Sequence, residues 1–113
     1  FIIVAIHWGV QYKEENEIWQ EILSKDIVDF GANCILGHHP HVLQKIGSYN
    51  GAIIFFSLGN LLFDHNYDIL GHASNQNESS SSGAIFTFTI EKNNRVTGLK
   101  RTNTTSTPDG VII

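Results

Sequence analysis

Phe1-Ile2-Ile3-Val4-Ala5-Ile6-His7-Trp8-Gly9 and Cys34-Ile35-Leu36-Gly37-His38-His39-Pro40-His41 decide the fold of this chain. Each is a short, unbroken apolar run that closes on histidine and glycine. Such a run reads as a strand buried on both faces, as in a parallel sheet. Between them, Glu14–Phe30 carries Ile18, Trp19, Ile22, Leu23, Ile27 and Phe30 at spacings of three and four, the period of a helix with one apolar face. Acidic Glu14, Glu15 and Glu17 crowd its start, where the helix dipole favours them, and Gly31 suits a left-handed cap at its end. Strand, helix and strand within about forty residues form a βαβ unit with a right-handed crossover, and the fold class is α/β.

Beyond the second strand, Val42–Tyr49 and Ala52–Ser57 flank Asn50-Gly51, a strong two-residue hairpin signal. Ser57-Leu58-Gly59-Asn60 breaks the pattern. Residues 64–83 are polar and include Ser79-Ser80-Ser81-Ser82, the composition of a surface loop. Ala84–Ile90 alternates as a strand, Lys92-Asn93-Asn94 is a turn, and Arg95–Arg101 is a last strand. The Thr-rich stretch Thr102–Gly110 reads as loop. The whole of 1–113 is expected to belong to one domain, and a first residue that already lies in a strand pattern makes the chain look like the C-terminal part of something longer.

A net charge of -4 and the lack of any basic run give no support to a nucleic-acid partner. Phe1–Ile6 and Ala52–Phe56 are the longest apolar stretches, and both are far too short for a transmembrane segment. Cys34 is the single cysteine, so neither an internal disulfide nor a thiolate zinc site can form within the chain. In its apolar run it reads as a small buried hydrophobe. Asn77-Glu78-Ser79 and Asn103-Thr104-Thr105 match a glycosylation sequon, but such matches arise by chance in Ser/Thr-rich stretches.

The chemistry is concentrated in the histidines. Four of the six, His7, His38, His39 and His41, directly follow the two buried strands. In open α/β sheets ligands bind outside the carboxyl ends of the strands, which is where these imidazoles converge. An extended His39-Pro40-His41, stiffened by Pro40, would set two rings on one side as a metal clamp. His38 with His41 is the alternative pair. Imidazole donors suit Zn, Mn, Fe or Ni. Trp8 reads as a packing residue that shields the site, and substrate stacking is its other role. Asn60 ends another apolar run, placed either to hydrogen-bond a ligand or to make a turn. Asp64 and His65 follow closely enough to line the same cleft, while His72 falls in the polar loop. Neither a Ser-His-Asp or Cys-His nucleophile nor a Gly-rich phosphate loop is present.

Taken in order, His7-Trp8-Gly9, Gly31-Ala32-Asn33, Gly37-His38-His39-Pro40-His41-Val42 and Ser57-Leu58-Gly59-Asn60 resemble the CapA family of bacterial capsule, or poly-γ-glutamate, synthesis proteins. Their domain is similar to the calcineurin-like metallophosphoesterases. The resemblance covers residues 1–64 and extends more loosely to Gly110. It implies a four-layer α/β sandwich of metallophosphoesterase type, with two divalent transition metals (Mn, Fe or Zn) at the strand ends. His7, His39 and His41 would be ligands, His38 the competing candidate, and Asn60 a catalytic, site-lining residue. In catalytic members two metals about 3.5–4 Å apart clamp the reacting group. The family's N-terminal Asp, Gly-Asp and Asn-His blocks have no counterpart here. Gln11 stands where relatives often carry Glu, and an amide cannot replace a carboxylate base or ligand.

The resemblance implies a part in capsule or poly-γ-glutamate synthesis at the cell surface or a membrane-anchored site. The implied partners are an anionic polymer or phosphoester substrate and other capsule synthesis subunits. One reading is a metal-dependent hydrolase or transferase. A second is a non-catalytic polymer-binding or assembly subunit. A third is a phosphoesterase unrelated to capsules, since fold does not fix function.

Overall fold

The computed structural model describes residues 1–61, 81–107 and 110–113. It contains β1 (Ile3–His7), α1 (Ile18–Asp29), β2 (Cys34–His38), β3 (Ile46–Tyr49), β4 (Ala52–Phe55), β5 (Ser82–Ile90), β6 (Val96–Thr107) and β7 (Gly110–Ile112). One sheet runs β1-β2-β4-β3 and the other β5-β6-β7. β1 and β2 are parallel, as are β2 and β4, so the expected α/β class and its βαβ unit are present. β3 and β4 form the antiparallel hairpin around Asn50 and Gly51, whose φ values of 46° and 82° match the type I′ turn that an Asn-Gly pair favours.

Three layers result, and strand alternation explains them. Successive residues of β2 and β4 point to opposite faces. Ile35, Ile54 and then Phe56 cluster with Trp8 and with Val28 of α1. Cys34, Ile53 and Phe55 cluster instead with Phe86 and Phe88 of β5 and with Val96. The mixed sheet is thus covered by the helix on one face and by the antiparallel sheet on the other. β4, at the centre, is buried along its whole length, which is the pattern that an unbroken apolar strand requires.

β1 departs from expectation. It is an edge strand whose residues alternate between exposed and half-buried, and Ile3 is 50% exposed. Only the face carrying Val4 and Ile6 reaches the helix-side core.

The helix departs further. It begins at Ile18, because the side chain of Gln20 turns back to accept a hydrogen bond from the backbone N–H of Glu17 (2.8 Å), capping the turn there. Glu14 and Glu15 therefore precede the helix. The face it buries is Gln20, Ser24 and Val28, spaced by four, while Ile18 and Phe30 are 77% and 93% exposed. The expected apolar face mostly points outward. Val28 joins the core formed with Trp8 and Phe56, Ile27 packs against it, and Trp19 meets Trp8 edge-on.

The C-terminal stretch was expected to be loop, yet β6 continues to Thr107 and pairs with both β5 and β7. Thr104 and Ser106 are buried and Thr105 is exposed. The alternation is one of small hydroxyl residues, and β-branched threonine fits a pleated strand well. Of the polar stretch 64–83, residues 64–80 lie outside the described residues, and Ser82 already begins β5.

Cys34 is fully buried and its thiol is pushed up to about 11 by desolvation. At about pH 8 only about one thiol in a thousand is then ionised. Cys34 is expected to resist a water-soluble disulfide reagent in the native protein and to react fully in denaturant. Rapid labelling of folded protein would contradict its burial.

Candidate functional site

The ends of β1 and β2 lie side by side, with His7 opposite His38 in the register. Pairing continues one step further, since the Trp8 N–H donates to the His38 carbonyl (3.0 Å). The chain then turns through Gly9 and returns at Tyr12, whose N–H donates to the carbonyl of buried Pro40 (2.7 Å). The His-Pro-His loop is thereby laid against the loop that leaves β1.

This arrangement brings together His7, His39 and His41. The rings of His7 and His39 are 4.6 Å apart between centroids, and those of His39 and His41 are 6.2 Å apart. Tyr12, which sequence reasoning missed, stands 6.0 Å from His41 and forms a further wall. His38 instead lines an apolar cavity of about 380 Å³ between the two sheets, with Leu36, Phe55 and Phe86.

The expected extended His-Pro-His is not formed. His39 and His41 take φ values of 102° and 59°, in the left-handed region that β-carbon-bearing residues avoid. Non-glycine residues held there cost about 1–3 kcal/mol each, and they persist where the surroundings over-determine them. The Tyr12–Pro40 hydrogen bond is one such constraint.

Asn60 supplies another. Its side-chain NH₂ donates to the His41 carbonyl (3.1 Å), and its Oδ1 lies 3.0 Å from His41 Nδ1. No sequence signal links these two residues, which are 19 apart. Trp8 is 5% exposed, stacks on Phe56 (5.7 Å) and meets Trp19 edge-on (6.1 Å), so it packs beneath the site. Its indole N–H donates to the Phe56 carbonyl (2.9 Å). Gln11 is exposed in the turn after β1. Asp64, His65 and His72 lie outside the described residues.

The donor chemistry of the cluster suits a borderline divalent cation, because neutral imidazoles are among its preferred ligands. Among the described residues, however, no three of His, Cys, Asp or Glu stand close enough to share one ion. The chain therefore presents a histidine-lined partial site. No helix of the described residues is long and apolar enough to cross a membrane.

Comparison with known proteins matches residues 1–65 to the family model described as "Bacterial capsule synthesis protein PGA_cap". The chain is 48% identical over 66 residues to the "Capsule biosynthesis protein CapA" of Bacillus anthracis, covering 58% of this chain and 16% of that protein. It is 46% identical over 66 residues to the "PGA biosynthesis protein CapA" of Bacillus subtilis (strain 168), covering 58% of this chain and 17% of that protein. An "Uncharacterized protein y4sH" of Sinorhizobium fredii is 38% identical over 58 residues, covering 51% of this chain and 13% of that protein. The matched stretch thus spans about a sixth of the length of the Bacillus relatives, and it contains every histidine of the cluster.

Proposed function

The chain belongs to the bacterial capsule synthesis family, and from that premise we propose that its protein acts at the cell envelope in making or anchoring an anionic polymer such as poly-γ-glutamate. The observation that carries a chemical role is the His7–His39 ring pair, 4.6 Å apart at the ends of two parallel strands, with His41 beside it. In this reading the domain is part of a four-layer metallophosphoesterase sandwich. His7, His39 and His41 would be divided between two divalent transition metals (Mn, Fe or Zn), each ion completed by ligands from outside the described residues. His38 stays the alternative donor.

A bound cation there would supply Lewis-acid polarisation of a phosphoryl or carbonyl oxygen. The chain's own residues bind and orient. The Tyr12–Pro40 hydrogen bond and the Asn60 amide hold the histidine loop in its left-handed conformation. Trp8 and Phe56 close the floor beneath it against water. Such a site serves a hydrolase or transferase acting on a phosphoester or γ-glutamyl bond.

Elemental analysis of the full-length protein tests this reading. About two transition metals per chain are expected, as in two-metal sites, and both His7→Ala and His41→Ala should lower that content. A well-folded protein without metal would overturn the enzyme reading. The non-catalytic role, in polymer binding or assembly, would then stand in its place, a reading to which the amide of Gln11 already lends some weight.

A further inference from the structure

We propose that Asn60 is the positioning residue of His41, holding its ring as the Nδ1–H tautomer so that Nε2 is the nitrogen with the lone pair. The consequence for ligation rests on the metal-site reading above; the tautomer itself rests only on the hydrogen bonds. A backbone carbonyl can only accept, so the amide edge 3.1 Å from the His41 carbonyl must be the NH₂ group. A flipped amide would set two oxygens against each other there, which fixes the orientation. Oδ1 is then the atom 3.0 Å from His41 Nδ1. As an acceptor, it requires Nδ1 to carry the proton. A neutral imidazole has one N–H, so its lone pair is on Nε2.

The turn that presents Asn60 is tightly held. Gly59 has φ 67° and pairs with Gly83, while Leu58 pairs with Leu43 in the histidine-loop segment. A β-carbon on Gly59 would fall 2.9 Å from the Ser82 carbonyl, and one on Gly83 would fall 1.9 Å from that of Asn60. The main chain of Gly59 and Asn60 is therefore held close against the start of β5, and the Asn60 side chain reaches His41 from that base. One amide thus meets both the strained backbone and the ring of a single residue. The Ser57-Leu58-Gly59-Asn60 element gains a reason for its composition: glycine for the close approach, asparagine for a group that donates and accepts at once.

The test uses full-length protein, stripped with a chelator, labelled with ¹⁵N-histidine and observed by long-range proton–nitrogen NMR at about pH 8, above the ordinary histidine range. His41→Gln identifies the His41 signals by their loss. His41 should show a protonated Nδ1 in the parent protein. Asn60→Asp keeps an acceptor at Nδ1 and should keep that proton in place. Asn60→Leu, of similar size, should release the ring toward Nε2–H while the other histidine signals stay unchanged. Zinc titration of the same samples should show about 10–100-fold weaker binding in Asn60→Leu, the usual scale for loss of an orienting partner.

A parent His41 protonated on Nε2, or an Nδ1 proton that persists in Asn60→Leu, would overturn the inference. The parent measurement decides even if Asn60→Leu does not fold. The expected tautomer change without zinc uptake by the parent would uphold the role of Asn60 and overturn the metal reading alone.

Discussion

Gly37→Ala is expected to lower the stability of the full-length protein by about 3–5 kcal/mol, a large effect for one methyl group. A β-carbon at Gly37 would fall 2.1 Å from the Phe56 carbonyl, 2.7 Å from the Phe55 carbonyl and 2.5 Å from the indole nitrogen of Trp8. Two of these neighbours are backbone at and just past the end of β4, the most buried strand, and cannot step aside as a flexible side chain could. The methyl would also intrude on the Trp8-to-Phe56 hydrogen bond, since it lies against both partners. Overpacking of a tight core costs about 1–3 kcal/mol. A buried donor or acceptor left unpaired costs about 1–3 kcal/mol more. Denaturant unfolding with the slope held in common measures the difference. A midpoint shift worth less than about 0.5 kcal/mol, the usual range for surface changes, would mean that β2 and β4 are not packed this closely.

Trp8→Ala is expected to cost about 3–5 kcal/mol, the range for truncating a large buried aromatic. The indole is nearly buried, stacked on Phe56 and edge-on to Trp19, so its loss leaves a cavity between the helix and the sheet. Trp8→Phe separates packing from polarity. It keeps a ring but removes the N–H that satisfies the Phe56 carbonyl, and should cost about 1–3 kcal/mol. Because Gly37 and Trp8 share that carbonyl, Gly37→Ala added to Trp8→Phe should cost less than the sum of the two. Strict additivity would show that the methyl and the indole do not compete for one space. A Trp8→Ala protein as stable as the parent would place Trp8 at the surface, available for substrate stacking.

The βαβ unit was legible because its signals are local. An unbroken apolar run marks a strand, and a glycine after helical periodicity marks the end of a helix. Asn50-Gly51 announced its hairpin for the same reason, since two left-handed residues in succession are what that pair tolerates. Where the reading failed, the deciding contact was long-range or polar. The periodicity of α1 was real, but a period does not say which face meets the sheet. Gln20, Ser24 and Val28 are the residues that α1 buries, and Val28 among them joins the core of Trp8 and Phe56. The last part of β6 was missed because Thr104 and Ser106 are buried through hydroxyl side chains that an apolar pattern does not register.

At the site, the placement of His7, His39 and His41 at the strand ends could be read from the chain, since strand order alone carries the two loops to one edge. What those residues do there could not. The local rule that proline extends its predecessor suggested a clamp, and packing of the loop against Tyr12 and Asn60 produced left-handed histidines instead. The sequence by itself determined the α/β class, the hairpin and the convergence of histidines, because periodicity, turn chemistry and strand order act over a few residues. Only the tertiary structure decided which helix face is buried, which histidines approach one another and that Asn60 grips His41. Those outcomes depend on distances across layers, and a side chain learns its partner there only once the layers have closed.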